Sequence, residues 1–393
     1  MSSLTSLYLR FLSLGRSGRI SVISGVAGAG LFAVLSLVHV RHAGPNPASV
    51  GGITVQDGLT ASAQASSLAP GPSPCEDFYS MICHTKGTLR DPTGFVRSEM
   101  AAELKAHEMQ AQISSANPTW NGDQVEQEFI RLVYTPKKVV RLRAAFEWVR
   151  HSLIRIIDNQ SAQRFSTREK KQLKATIRHL ELDLPTPEAR YADEPDIIFK
   201  SSVVYESSLP EGRTRIRVGG AYLLMTDSWF NWIFTFAHEI THSIDPCEIR
   251  VANQSYPSYD HLASCFIATG LIGAKKTRTE CGENDQLSEA YADWMATKVT
   301  SEALLRFATE FDHVQLRHAM ANSVRDLCEE DENLPESDLT YHPSARVRIQ
   351  KIFGANPAIR GMLGCSAETV PRGASGATTY CTFDWTFSGA KHP

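Results

Sequence analysis

Apolar residues recur at three- and four-residue steps over four stretches, Phe95 to Ser114, Gln124 to Tyr134, Lys138 to Ile157 and Arg168 to Leu182. The series Leu142, Phe146, Val149, Leu153, Ile156 is typical, and its spacing predicts helices that each bury one stripe. The period changes over Ile197 to Tyr205 and Arg213 to Tyr222, which are rich in Val, Ile and Tyr and flank Ser-Ser-Leu-Pro-Glu-Gly, a turn sequence. A β-hairpin is predicted there. Helical spacing returns over Ser228 to Ser243, stopped by Pro246, and again over Gln286 to Leu305 and Asp312 to Glu329. The expected fold is α+β, mostly helical, with a small sheet just before the Ser228 helix. No internal repeat interrupts this order.

A different pattern occupies the amino end. Arg10, Arg16 and Arg19 precede a run from Ile20 to Val40 without a charged side chain, and the first 56 residues contain no Asp or Glu. As a helix rising about 1.5 Å per residue, the run spans about 30 Å, enough to cross a bilayer. The heavier basic flank lies before it, so residues 1–19 are expected as a cytoplasmic tail and 20–40 as a transmembrane signal anchor. The alternative is a cleaved signal peptide, which would make the protein secreted rather than a single-pass type II membrane protein. Residues 41–73, dominated by Gly, Pro, Ala and Ser, are expected as a flexible stalk. Order is expected from Pro74-Cys75-Glu76-Asp77-Phe78-Tyr79 onward, as an extracytoplasmic domain over 74–393. Within it, 84–190 is expected as a helical scaffold and 191–393 as a second part that holds the hairpin and the later helices.

Composition narrows the class. With 42% hydrophobic residues in 393 the chain can build a sizeable core, and a net charge of -3 without a basic stripe excludes nucleic acid as a partner. Eight cysteines fit an oxidising compartment, extracellular or periplasmic, and none is in a C-x-x-C pair, which argues against a cysteine zinc site or a thioredoxin-type motif. Asn159 and Asn253 begin N-x-S sequons.

Candidate chemistry concentrates in His238-Glu239-Ile240-Thr241-His242. Residues four apart share a helix face, so His238 and His242 can offer two imidazoles to one metal ion. Glu239 beside them is then a general base and acid that moves a proton from an activated water to a leaving amine. Catalytic zinc takes three protein ligands, and the stretch Ser288 to Trp294 supplies Glu289 as the third. Asp293, one turn further, is placed to accept the free ring N–H of His238, and Asp245 that of His242. Near the carboxyl end, His342 is a candidate donor to the oxyanion of the transition state and Arg348 a candidate substrate-binding cation. His261, His313 and His318 are assigned to surface or core positions.

These pieces, in chain order, resemble the neprilysin and endothelin-converting-enzyme family of membrane-anchored zinc metallopeptidases. The resemblance is carried by the tail and anchor, Pro74 to Tyr79, His238 to His242, Glu289-Ala290-Tyr291-Ala292-Asp293, the His342 to Arg348 segment, and the late Cys365 and Cys381. It implies a gluzincin-type core, one zinc ion on His238, His242 and Glu289, catalysis by Glu239 with Asp293 and His342, and a peptide or protein substrate held by Arg348. It further implies disulfides Cys75–Cys365, Cys83–Cys328 and Cys265–Cys381, which leaves Cys247 and Cys281 to pair with each other. The chain departs from the family in two places. The region between Cys83 and His238 is short, so the family's large helical lid is reduced or missing, and Ser202-Val203-Val204-Tyr205 stands where the family has an Asn-Ala pair on its substrate strand. The competing reading, from another class, is a catalytically inactive peptide-binding or interaction protein on the same scaffold.

Overall fold

Two helices that are buried on nearly every side organise the molecule. In the computed structural model, which describes residues 73–83, 99–191, 194–207, 214–251, 257–272, 286–329, 342–365 and 380–382, these are Trp229–His242 and Gln286–Phe307. A helix buried on nearly every side can only be central, and Trp232, Ile233, Phe236, Ala237 and Ile240 of the first are wholly out of water. The described residues belong to one unit, 50–393, and share one continuous core that runs from Phe78 to Cys381.

The elements follow the hydrophobic pattern, with ends set by local chemistry. Helix α1 is Phe78–Cys83 and α2 is Glu99–Ala116. Helix α3, Gly122–Val133, starts at a capping box in which Asn121 and Gln124 satisfy each other's backbone N–H. Helix α4, Pro136–Asp158, is capped by Thr135 with proline at its first position. All five residues of the Leu142 to Ile156 series are buried. Helix α5, Thr167–His179, opens on a Ser166–Glu169 capping box.

The helix expected to reach Leu182 stops at His179. Leu180–Asp183 instead forms strand β1, parallel to β3, Thr214–Val218. The sequence Leu-Glu-Leu-Asp alternates with a period of two and fits either ending, and the open edge of β3 decides between them. The expected hairpin forms, with β2, Val203–Glu206, antiparallel to β3 and the sheet order β1-β3-β2. It is shorter than predicted at both ends. Pro195–Phe199 is a 3₁₀ turn in which the consecutive residues Ile197, Ile198 and Phe199 are all buried, a pattern no half-exposed strand can have. Beyond Val218 the chain turns into helix α6, Gly220–Met225. A Cβ on Gly219 would lie 2.0 Å from the Lys200 carbonyl oxygen, and one on Gly220 2.2 Å from that of Ile198, so only glycine lets the two segments pass.

Helix α7, Trp229–His242, is capped by Ser228. Helices α8, Pro246–Val251, and α9, Pro257–Ala268, precede α10, Gln286–Phe307, and α11, His313–Val324. The last elements are a 3₁₀ turn at Arg325–Glu329, a π-helical turn at Val347–Phe353 and α12, Pro357–Met362. Helix α7 packs against α10, α4 and α11 and borders β2. Phe146 of α4 meets Phe236 edge-on, and Arg141 lies 4.9 Å over the Trp232 ring while its guanidinium reaches Asp227 at 3.0 Å. The helices between residues 99 and 179 therefore share a core with the His238 helix.

Cys75–Cys365, Cys83–Cys328 and Cys265–Cys381 are disulfides, as the resemblance implied. They close loops of 290, 245 and 116 residues and pin the amino-terminal turn and α9 to the carboxyl-terminal segment. Cys247 is also disulfide-bonded. Cys281, Asn253, the turn at 208–213, the tail, the anchor and the stalk to residue 72 lie outside the described residues. Among the described residues no helix is long and apolar enough to cross a membrane. Asn159, at the exposed end of α4, His261 and His313 are exposed, and His318 is half-buried.

Gly219→Ala should destabilise the fold by about 1–3 kcal/mol, because the Lys200 carbonyl is backbone and cannot move aside as a side chain would. A lowered midpoint in urea unfolding with unchanged slope checks it; an unchanged midpoint would show that the β3–α6 corner has slack.

Candidate metal centre

Four elements bring their polar side chains to one point. His238 and His242 lie on one face of α7, Glu289 and Asp293 on one face of α10, Asp245 just past the end of α7, His342 on the segment leading into the π-helical turn and Arg348 within that turn. The Nε2 atoms of His238 and His242 are 3.1 Å apart. Glu289 Oε2 lies 3.2 Å from the first and 3.7 Å from the second.

The outer hydrogen bonds fix what these atoms are. His238 Nδ1 is 2.9 Å from Asp293 Oδ1, and His242 Nδ1 is 3.1 Å from Asp245 Oδ2. Both oxygens belong to buried carboxylates, and Asp293 is held at about 2 because Arg348 and His238 outweigh its burial. A carboxylate only accepts, so each Nδ1 carries a proton, and a ring in its neutral form presents its lone pair at Nε2. Glu289 Oε2 adds a third acceptor, buried and without a donor aligned on it. Three such atoms within 3.1–3.7 Å of one another stay together only with positive charge among them, a proton on a ring nitrogen or a metal ion.

The spacing tests which cation fits. Tetrahedral zinc, with bonds of about 2.0–2.1 Å, keeps its ligand atoms about 3.3–3.4 Å apart. The three measured edges bracket that value, and two imidazoles with one carboxylate are a zinc donor set. His238, Glu289 and His342 also bring one ligand atom each within 4.8 Å of one another. The set with His242 is the tighter, and its two rings are the ones tied at Nδ1 to buried carboxylates. His342, the most exposed of these side chains, sits at the rim with Nε2 3.0 Å from Glu289 Oε2 and its ring stacked at 6.3 Å on that of His238.

The electrostatics agree with a cation-binding centre. Burial pulls the His238 ring down, but the Asp293 and Glu289 carboxylates outweigh it and raise it to about 10. Burial likewise opposes His242, whose ring is raised by Asp245 and Glu289. Glu289 is held well below the ordinary carboxylate range against its burial by the surrounding imidazoles. Glu239 moves the other way, raised by burial despite the pull of both rings, which suits a group that has to accept a proton. Its Oε2 accepts the main-chain N–H of Tyr205 at 3.1 Å.

Of the residues expected from the sequence, His238, His242, Glu289, Glu239, Asp293, Asp245 and His342 come together. Arg348 joins them in a different posture from the one expected. It is 4% exposed, and its Nε and Nη2 donate to Asp293 Oδ2 at 2.7 Å and Oδ1 at 3.1 Å. It supports the carboxylate that orients His238. Two participants were not singled out by spacing. Ser288 Oγ bonds Asp245 and lies 3.3 Å from His242 Nδ1, and its one signal was its place directly before Glu289. The Tyr205 N–H is a backbone group and leaves no signal in residue type.

Asp293→Asn should weaken zinc binding by about 10–100-fold in a chelator competition. Lowered from 3.8 to about 2, the Asp293 carboxyl also contributes stability that is present above about pH 4 and lost as pH falls towards 2, on the order of 2 kcal/mol. Urea midpoints measured from pH 5 to pH 2 should fall less steeply in the variant; parallel curves would show that Asp293 is not held down. No family model and no curated protein matches this sequence, and the chemistry of the centre is carried by its own geometry.

Proposed function

We propose that the chain is a zinc-dependent peptidase of the gluzincin type, similar to the neprilysin family, in which His238, His242 and Glu289 hold the metal. The observation that carries this reading is the convergence of three potential ligand atoms at 3.1–3.7 Å with a fourth group, Glu239, held beside them by a backbone donor. A zinc ion held there acidifies a water and polarises the carbonyl to be attacked.

The chain's own residues do the rest. Glu239 takes a proton from the attacking water on a carboxylate oxygen and passes it to the departing amine nitrogen. Asp293 and Asp245 keep the two imidazoles in the tautomer that leaves Nε2 free, and Arg348 neutralises Asp293 so that it stays ionised in a buried place. His342, at the rim, is the donor for the oxyanion that develops on the substrate carbonyl. An extended peptide is the substrate class, because β2 is an edge strand among the described residues, borders α7 and can take a further strand by main-chain pairing. The disulfides support a domain outside the cytosol, anchored through residues 20–40.

Glu239→Gln should lower kcat on a quenched peptide at neutral pH by about 10²–10⁴-fold while zinc content stays at the wild-type level. A chelator should abolish hydrolysis and added zinc restore it. Hydrolysis that survives both treatments would end the peptidase reading; zinc uptake without any hydrolysis would favour the inactive binding protein.

A further inference from the structure

The contact between Glu239 and Tyr205 has a role of its own. In the β2–β3 ladder Val204 pairs with Arg217 and Tyr205 with Ile216, and along an antiparallel edge strand successive residues turn their N–H groups alternately into the ladder and away from it. The Tyr205 N–H is one that turns away, towards α7, where it meets Glu239 Oε2 at 3.1 Å. Its direction is therefore set by the pleat of the strand and not by the side chain at position 205.

Glu239 needs such a restraint. Its carboxylate is adjacent in sequence to one ligand and three residues from the other, on the same helix, and it lies close enough to His238, His242 and Glu289 to interact electrostatically with all three. A hard carboxylate oxygen that near a divalent cation has two options, to coordinate it or to stand off and handle protons. Coordination would fill the position that catalytic zinc keeps open. A main-chain donor on one oxygen favours the second option and leaves the other oxygen for the water.

We propose that the main-chain N–H of Tyr205 is the positioning group for Glu239, holding the carboxylate off the metal and aimed at the attacking water. The inference rests on the zinc peptidase reading above. It makes the edge strand part of the proton-handling apparatus, in addition to a rail for substrate.

The test removes one hydrogen. Replacing Tyr205 by its α-hydroxy acid analogue through nonsense suppression turns the amide into an ester, keeping the phenol and losing the N–H. Tyr205→Pro does the same more crudely, at an edge position where proline is tolerated. Tyr205→Ala removes the side chain and keeps the N–H. Each protein is loaded with Co²⁺ in place of zinc, and its visible absorption and its kcat and KM on a quenched peptide are recorded.

The ester variant should lose about 10²-fold in kcat with KM unchanged, and its Co²⁺ spectrum should shift as Glu239 enters the coordination sphere. Tyr205→Ala should keep the wild-type spectrum. An ester variant with wild-type kcat and spectrum overturns the inference, as does a Tyr205→Ala spectrum altered as far as that of the ester. If the wild-type protein binds Co²⁺ and hydrolyses nothing, the peptidase reading falls while the spectra still decide what holds Glu239. A wild-type protein that takes up no Co²⁺ overturns both.

Discussion

Two imidazole nitrogens facing each other at 3.1 Å, with a carboxylate oxygen beside them, repel whenever the nitrogens are unprotonated, and the fold holds them together by force from outside. That force is electrostatic at second hand. Asp293 and Asp245 each take a ring N–H, and Arg348 in turn takes Asp293 with two donors. The convergence of these atoms therefore originates one layer behind them. Removing a single buried carboxylate frees a ring to turn or to change tautomer, and the convergence is lost.

Such a layer works only if the backbone under it does not give. The two helices that carry the ligands are the most deeply buried elements of the molecule, and the cores of α4 and α11 press on α7 from its other sides. Trp232 and Trp294, two of the largest wholly buried side chains, come from these two helices. Close packing of this kind leaves little room for side chains to relax, so a misplaced ligand cannot be accommodated by a neighbour. The sheet contributes differently: its edge strand offers a backbone donor to Glu239, and its β2–β3 register determines which N–H faces that way.

The amino- and carboxyl-terminal parts of the described chain are brought together by covalent bonds. Cys75 and Cys83 reach Cys365 and Cys328, and α1 packs beneath the π-helical turn that carries Arg348, with Phe78 stacked on Phe353. The position of Arg348 behind Asp293 thus depends on residues nearly the whole length of the domain away. This is the long-range order that a closed loop stabilises best, since the unfolded chain loses most freedom there.

The local periodicities were enough to read the helices and their approximate ends, because an amphipathic stripe and a capping residue are properties of neighbouring positions. Spacing was also enough to put His238 and His242 on one helix face and Glu289 and Asp293 on another, since residues four apart on a helix share a face whatever the rest of the chain does. Leu180–Asp183 could not be read as a strand, because a parallel partner 34 residues on decides it. The posture of Arg348 and the donor on Glu239 were out of reach for a related reason. One depends on a burial that only the packed α10 and π-helical turn create, the other on a backbone N–H that every residue type but proline carries. Sequence determined which groups could meet; tertiary structure alone decided which atoms face one another, because direction and burial are set by contacts between segments far apart in the chain.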